Sequence, residues 1–163
     1  MAPSAPVPPS PALAVAVVDR QRRIALPRRW LARIGRWALE VEGVVEADVT
    51  VLLVDDAQIA SLHGRWLGDP TPTDVITFDL GDGRSGAVRG DIACSVETAA
   101  REARRFGWEI RHELAYYVVH GVLHLTGYDD RREGERRAMR RREREVFATI
   151  GLPVPPRQPS RRP

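Results

Sequence analysis

Lysine is absent from this sequence, cysteine occurs once, and no stretch approaches the roughly 18 uninterrupted apolar residues of a membrane span. The single Cys94 excludes an internal disulfide framework and a cysteine-based zinc ribbon, and it fits a reducing compartment. The N-terminus has no positively charged stretch ahead of its apolar part, so it makes a poor secretory signal. A cytoplasmic protein with no membrane partner is expected. All 25 basic residues are arginine. Genome composition accounts for that without any chemistry, but the arginines are also unevenly placed. Residues 131–163 hold 11 Arg and 4 Glu, whereas the rest of the chain holds 14 Arg and 18 acidic residues. A mildly acidic body therefore carries a basic C-terminal end. Arginine's planar fork suits bidentate contact with phosphate, so the basic end points to an anionic partner such as RNA.

The 163 residues are enough for one domain with a real core. Residues 1–12 hold five prolines and no charged side chain, and read as a disordered leader. Residues 13–151 read as a single domain, and 152–163 as a disordered basic tail. Within the domain, 13–18 is apolar and β-leaning. Residues 27–43 place Trp30, Leu31, Ile34, Trp37 and Leu39 near helical period, with Pro27 as the first helical residue and Gly43 as the stop. The valine-rich alternation of 47–55 predicts a strand. A short helix over 55–67 follows, capped by Asp55. Strands over 74–80 and 87–95 flank a turn at 81–86. A helix over 95–107 starts at Ser95 and ends at Gly107. A strongly apolar helix spans 108–127, with Gly127 placed to end it. A mostly charged helix over 131–151 keeps a narrow docking seam of Met139, Val146, Phe147 and Ile150. This order, β-α-β-α-β-β-α-α-α, predicts an α+β fold. A small mixed or antiparallel sheet packs against several helices, with a metal site at the end of the central helix.

The central helix ends in His-Gly-Val-Leu-His-Leu-Thr-Gly-Tyr-Asp-Asp, residues 120–130. His120 and His124 are four apart, on one helix face about 6 Å apart along the axis, so their imidazoles can converge on one ion. His112 and Tyr116 continue the stripe. His112 lies about 12 Å from His120 along the axis, too far to share a metal with the pair. A third ligand must come after the chain turns at Gly127, which leaves Asp129 and Asp130. Asp130 has a competing role, because Asp130 and Glu133 also have the spacing of a capping box for the last helix.

The segment 120–130 resembles the signature of the YbeY family, zinc-dependent single-strand endoribonucleases and rRNA maturation factors. It matches that family's His-Gly-x-Leu-His-Leu-x-Gly-Tyr-Asp-His at every specified position but the last. Residues 72–78, Pro-Thr-Asp-Val-Ile-Thr-Phe, and 89–95, Arg-Gly-Asp-Ile-Ala-Cys-Ser, resemble two further family segments in the same order. The resemblance covers about residues 13 to 150. It implies a metal site of His120, His124 and residue 130, one zinc ion per chain, and hydrolysis of single-stranded RNA in rRNA maturation and small-subunit assembly. The partners it implies are rRNA and the small ribosomal subunit, with no DNA. Three positions depart from the family pattern. Asp130 stands in place of histidine; a carboxylate also binds zinc but adds a negative charge. Leu67 stands where a basic residue is common, with Arg65 nearby. His63 replaces a common asparagine.

No general base is evident. The glutamate that follows the first histidine in His-Glu-x-x-His proteases is replaced by Gly121, which argues against that chemistry. Polar candidates near the site are Tyr128, Asp129, Asp74 and Asp91; the last two equally suit turn and backbone hydrogen bonds. On the last helix, Glu133–Arg137 and Arg141–Glu145 are spaced as i,i+4 pairs. Arg132, Arg136 and Arg140 form like-charge steps that RNA phosphate would relieve. Two other readings stand beside the nuclease: a ribosome-assembly protein with a structural metal, and an unrelated metallohydrolase or iron enzyme.

Overall fold

The computed structural model describes residues 12–83 and 86–156. All but Ala12 of the expected leader, and the tail beyond residue 156, lie outside the described residues, as do positions 84–85 of the expected turn. The elements run β1 Leu13–Asp19, α1 Arg28–Val41, β2 Ala47–Val54, α2 Asp56–Leu67, β3 Val75–Asp79, β4 Val88–Ser95, α3 Val96–Phe106, α4 Ile110–Leu125 and α5 Glu133–Thr149. The order is the one the sequence predicts.

The sheet order is β1-β2-β4-β3. β1, β2 and β4 are parallel and β3 is antiparallel to β4, so the sheet is mixed. Parallel neighbours need a crossover connection, and α1 supplies it between β1 and β2. β3 is left as an edge strand. Ala47, Val49, Val51 and Leu53 alternate along β2 and point into the main core, while Leu52 points the other way. α1, α3 and α4 cover the first face. α2 alone packs on the second, where Val54, Ile59 and Ile76 form a small separate cluster with Leu62 and Phe78.

α4 is the central element. Leu114, Tyr117, Val118, Val119, Val122 and Leu123 are all fully buried, because sheet, α1, α3 and α5 surround the helix. Gly121 is where α4 presses on β4: a Cβ there would lie 2.7 Å from Ile92. This contact explains why no glutamate follows His120, since that position faces the sheet and not the cleft. α5 docks on α4 through Met139, Val146 and Phe147, as the seam predicts, but Glu143 is buried in the same seam.

Helix ends follow local chemistry, with two differences from expectation. Asp55 caps α2 as foreseen and is joined by the Gln58 side chain in a capping box. Pro27 precedes α1 as its N-cap rather than forming its first turn, because its ψ of 74° is not helical. α5 begins after Arg132, whose N–H donates to Glu135 at 3.1 Å, so Asp130 does not cap it. Of the two expected i,i+4 pairs, Glu133–Arg137 forms at 3.6 Å. Glu145 pairs instead with Arg142 at 2.8 Å, which also reaches Glu42 beyond the end of α1 at 2.7 Å. After α5, the Leu152 N–H donates to Phe147 and the Leu152 side chain packs on the core.

Glu113 of α4 is fully buried, with the Trp108 indole N–H donating to it at 2.8 Å. Burial pushes its carboxyl up to about 7, partly offset by hydrogen bonds from Trp108 and Tyr117. A carboxyl that titrates higher in the folded chain favours folding while protonated and opposes it once ionised. Stability should therefore fall as pH rises from about 4.5, the unfolded value, through about 7. Glu113→Gln keeps an acceptor for Trp108 without the charge. Denaturant melts should show it more stable than the parent at pH 8, by up to about 3 kcal/mol, with the gap closing at pH 5.

Candidate metal centre

The end of α4 is a turn that returns the chain onto the helix. The Gly127 N–H donates to the His124 carbonyl at 3.1 Å and the Tyr128 N–H to the Leu123 carbonyl at 3.0 Å, the pattern of a Schellman motif. Gly127 has φ of +108°, a conformation that suits glycine. The turn places the Tyr128 carbonyl 3.1 Å from His124 Nδ1 and brings Asp130 over the histidine pair. Asp129 holds the turn, its Oδ1 accepting from the Asp130 N–H at 2.7 Å. Arg136 clamps it from α5, donating to the Asp130 and Arg131 carbonyls at 3.1 and 3.0 Å.

His120 Nε2 and His124 Nε2 lie 3.1 Å apart, and Asp130 Oδ2 lies 3.6 and 3.5 Å from them. Ligands 2.0–2.1 Å from a tetrahedral ion are separated by about 3.3–3.4 Å, so this triangle has the dimensions of one face of such a site. The hydrogen bonds of the other ring nitrogens set the chemistry. His120 Nδ1 meets Glu143 Oε1 at 2.7 Å, and His124 Nδ1 meets the Tyr128 carbonyl. A carboxylate and a carbonyl only accept, so each Nδ1 carries the proton and each neutral ring turns its Nε2 lone pair toward the other and toward Asp130. Three acceptors without a proton between them need a cation. The hydrogen bond to Asp130 raises the His124 pKa, and the same bond lowers that of Asp130. Among the described residues, His120, His124 and Asp130 form the one group of this kind that could hold a metal ion.

The triad opens into a cleft of about 760 Å³, at the upper end of the range for ligand pockets. The β3 edge and the end of α2 make one side; α5, with Arg136 and Arg140, makes the other together with Arg131 of the loop before it. His63 reaches the cleft, its Nδ1 2.9 Å from the Thr71 carbonyl. Leu67 also lines it, whereas Arg65 lies over the Trp66 ring at 5.6 Å. Asp74 lines the cleft, but its Oδ1 accepts from the Val75 N–H and the Thr73 hydroxyl. Asp91 lies within β4 opposite Thr50 and Phe78 and does not line the cleft. His112 is away from the site, between the rings of Trp30 and Trp108 at about 6 Å.

Glu143 was not foreseen, and Arg136 was read as a phosphate contact rather than as a clamp on the loop that carries Asp130. Glu143 had a signal: it sits four residues after Met139 and three before Val146, in the apolar seam. A buried glutamate there needs a partner, and only the fold shows that partner to be His120. Tyr116 also belongs to this group, its ring 6.2 Å from that of His120; burial, then the charge of Glu143, raises its pKa.

A family profile described as Endoribonuclease YbeY matches residues 17–151. The chain belongs to the endoribonuclease YbeY family. The chain is 40% identical over 129 residues to the Endoribonuclease YbeY of Pelotomaculum thermopropionicum, covering 75% of this chain and 85% of that one. It is 37% identical over 142 residues to the Endoribonuclease YbeY of Geobacter sulfurreducens, covering 83% and 95%. A solution structure of a Thermotoga maritima protein superposes with a TM-score of 0.58 at 24% identity, covering 91% of this chain and all of that one, and shares the fold. The resemblance read from segments 72–78, 89–95 and 120–130 is thus borne out. In this chain all three segments border or support the cleft: the first runs along β3, the second is β4 beneath α4, and the third holds the triad.

Gly127→Ala should lower the unfolding free energy by about 1 kcal/mol, because alanine resists a positive φ. The same change should pull the Tyr128 carbonyl off His124. The protected Nδ1–H resonance of His124 in a proton NMR spectrum is then expected to weaken or vanish.

Proposed function

We propose that this chain is a metal-dependent endoribonuclease that cuts single-stranded RNA in rRNA maturation, with one zinc ion held by His120, His124 and Asp130. Family membership supports the nuclease activity. The observation that carries the metal reading is the convergence of two Nε2 lone pairs and a carboxylate oxygen within 3.1–3.6 Å at the floor of an open cleft. A metal held there supplies Lewis acidity toward a phosphoryl oxygen and activates water. The chain's own groups do the rest. Glu143 fixes the tautomer and ring angle of His120, and the Tyr128 carbonyl does the same for His124. Arg136 fixes the loop that carries Asp130. Arg131 and Arg140 border the cleft and are placed to hold phosphate oxygens and offset charge in the transition state. The small ribosomal subunit is the proposed setting and the cytoplasm the proposed location.

The rival reading, a binding protein with a structural metal, calls for a closed set of four protein ligands. Three converge among the described residues, and a metal held by them would border the cleft and could take water or substrate as a further ligand. Asp130 in place of histidine keeps the ligand count and makes the triad less positive by one charge.

The metal and nuclease readings are tested together. Purified chain should contain about one zinc per molecule and cut single-stranded RNA; a chelator should abolish cleavage and added zinc restore it. Asp130→Ala should lose the metal. Glu143→Ala should keep the three ligands yet bind zinc about 10–100-fold more weakly. Full zinc occupancy in Asp130→Ala would remove that residue from the ligand set, and cleavage that resists chelation would refute the metal-dependent mechanism.

A further inference from the structure

The two sides of the cleft differ in charge. Arg136 and Arg140 of α5 and Arg131 of the loop before it line one side, beside Asp130 and Glu143, which face the histidines, and Asp129, which holds the turn. The end of α2 and the edge strand β3 line the other side with no arginine, and Asp74 and Asp79 lie there. A polyanion in this cleft therefore turns its phosphates toward α5 and its bases toward α2 and β3. At that second rim the surface is unusually apolar. Trp66 is 62% exposed, next to Leu67, which is 61% exposed and lines the cleft. The Trp66 ring meets Phe78 edge-on at 6.2 Å, and Leu80, also 61% exposed, lies just past the end of β3. The Arg65 guanidinium lies 5.6 Å from the Trp66 ring centre.

We propose that Trp66 is a stacking platform for one unpaired RNA base at the mouth of the cleft. This assignment rests on the nuclease reading above. Three observations support it. The ring is held at one end by Phe78 and remains largely in solvent, so its position is set before a base arrives. It adjoins the cleft through Leu67, across from Arg131, Arg136 and Arg140. Its cationic neighbour Arg65 is placed to stack on a base. Stacking on Trp66 needs a base that is out of a duplex, so the platform also selects single strands. The flat face of any base suffices, so the contact tolerates sequence variation.

The test uses metal-loaded enzyme and single-stranded RNA of about 12 nucleotides, within the footprint of known single-strand sites. Trp66→Ala should lower kcat/KM about tenfold, and Trp66→Tyr should recover most of it. An abasic scan of the RNA adds a readout that lost packing cannot mimic. One position should cost wild type about tenfold on base removal and cost Trp66→Ala nothing further, the coupling of a double-mutant cycle. Arg140→Ala should weaken every oligonucleotide alike and reduce the salt dependence of affinity by about 0.7 in the log–log slope. Equal kcat/KM for wild type and Trp66→Ala, or abasic losses that are the same in both, would overturn the platform while leaving the nuclease reading intact. No binding or cleavage of RNA by the wild type would overturn both.

Discussion

Two imidazole lone pairs and a carboxylate oxygen aimed at one point repel one another, and the surrounding structure is built to hold them there. On a bare helix, histidines four apart would turn their rings toward solvent or bond each other through a shared proton. Here each ring is pinned from behind, His120 by buried Glu143 and His124 by the Tyr128 carbonyl. The pins come from different parts of the chain. One arrives with α5 docked on α4, the other with the reversal at Gly127. Burial of α4 against the sheet, aided by the close approach at Gly121, gives both pins a rigid support. Core packing and site geometry thus share the same contacts.

The same arrangement shapes the cleft. α5 brings Glu143 inward to His120 and carries Arg136 and Arg140 along the opening. One helix therefore serves a buried carboxylate and an exposed row of cations, and its low apolar content follows from that double duty. Across the opening, β3 lies at the sheet edge because β4 pairs on its other side with β2. An unpaired edge invites association with other chains unless it is short or charged. β3 is five residues long and ends in Asp79, and its outer side is used as a wall of the cleft.

Much of this was legible in the residues. Glycines and caps punctuate the chain clearly, so the element order and the stops at Gly43, Gly107 and Gly127 could be read locally. The i,i+4 geometry of His120 and His124, and the exclusion of His112, follow from helix dimensions alone. The third member of the cluster was less accessible. Asp130 satisfied two local patterns at once, and the choice depends on where α5 begins. That start is set by Arg132 and Glu135, and by the Arg136 clamp on the loop before it. Glu143 lay outside local reasoning altogether, since its partner is 23 residues away and on another helix. The pairing of Glu145 with Arg142 rather than Arg141 has the same origin: Arg142 faces Glu42 beyond the end of α1.

The most direct test of the centre is an anomalous difference map, recorded at the zinc edge, from crystals of the zinc-loaded protein. The account predicts a single strong peak about 2.0–2.2 Å from Nε2 of His120, Nε2 of His124 and one oxygen of Asp130, with its remaining side open to the cleft. Ligation through Nδ1, a peak that excludes Asp130, or zinc bound elsewhere with this triangle left empty would contradict it.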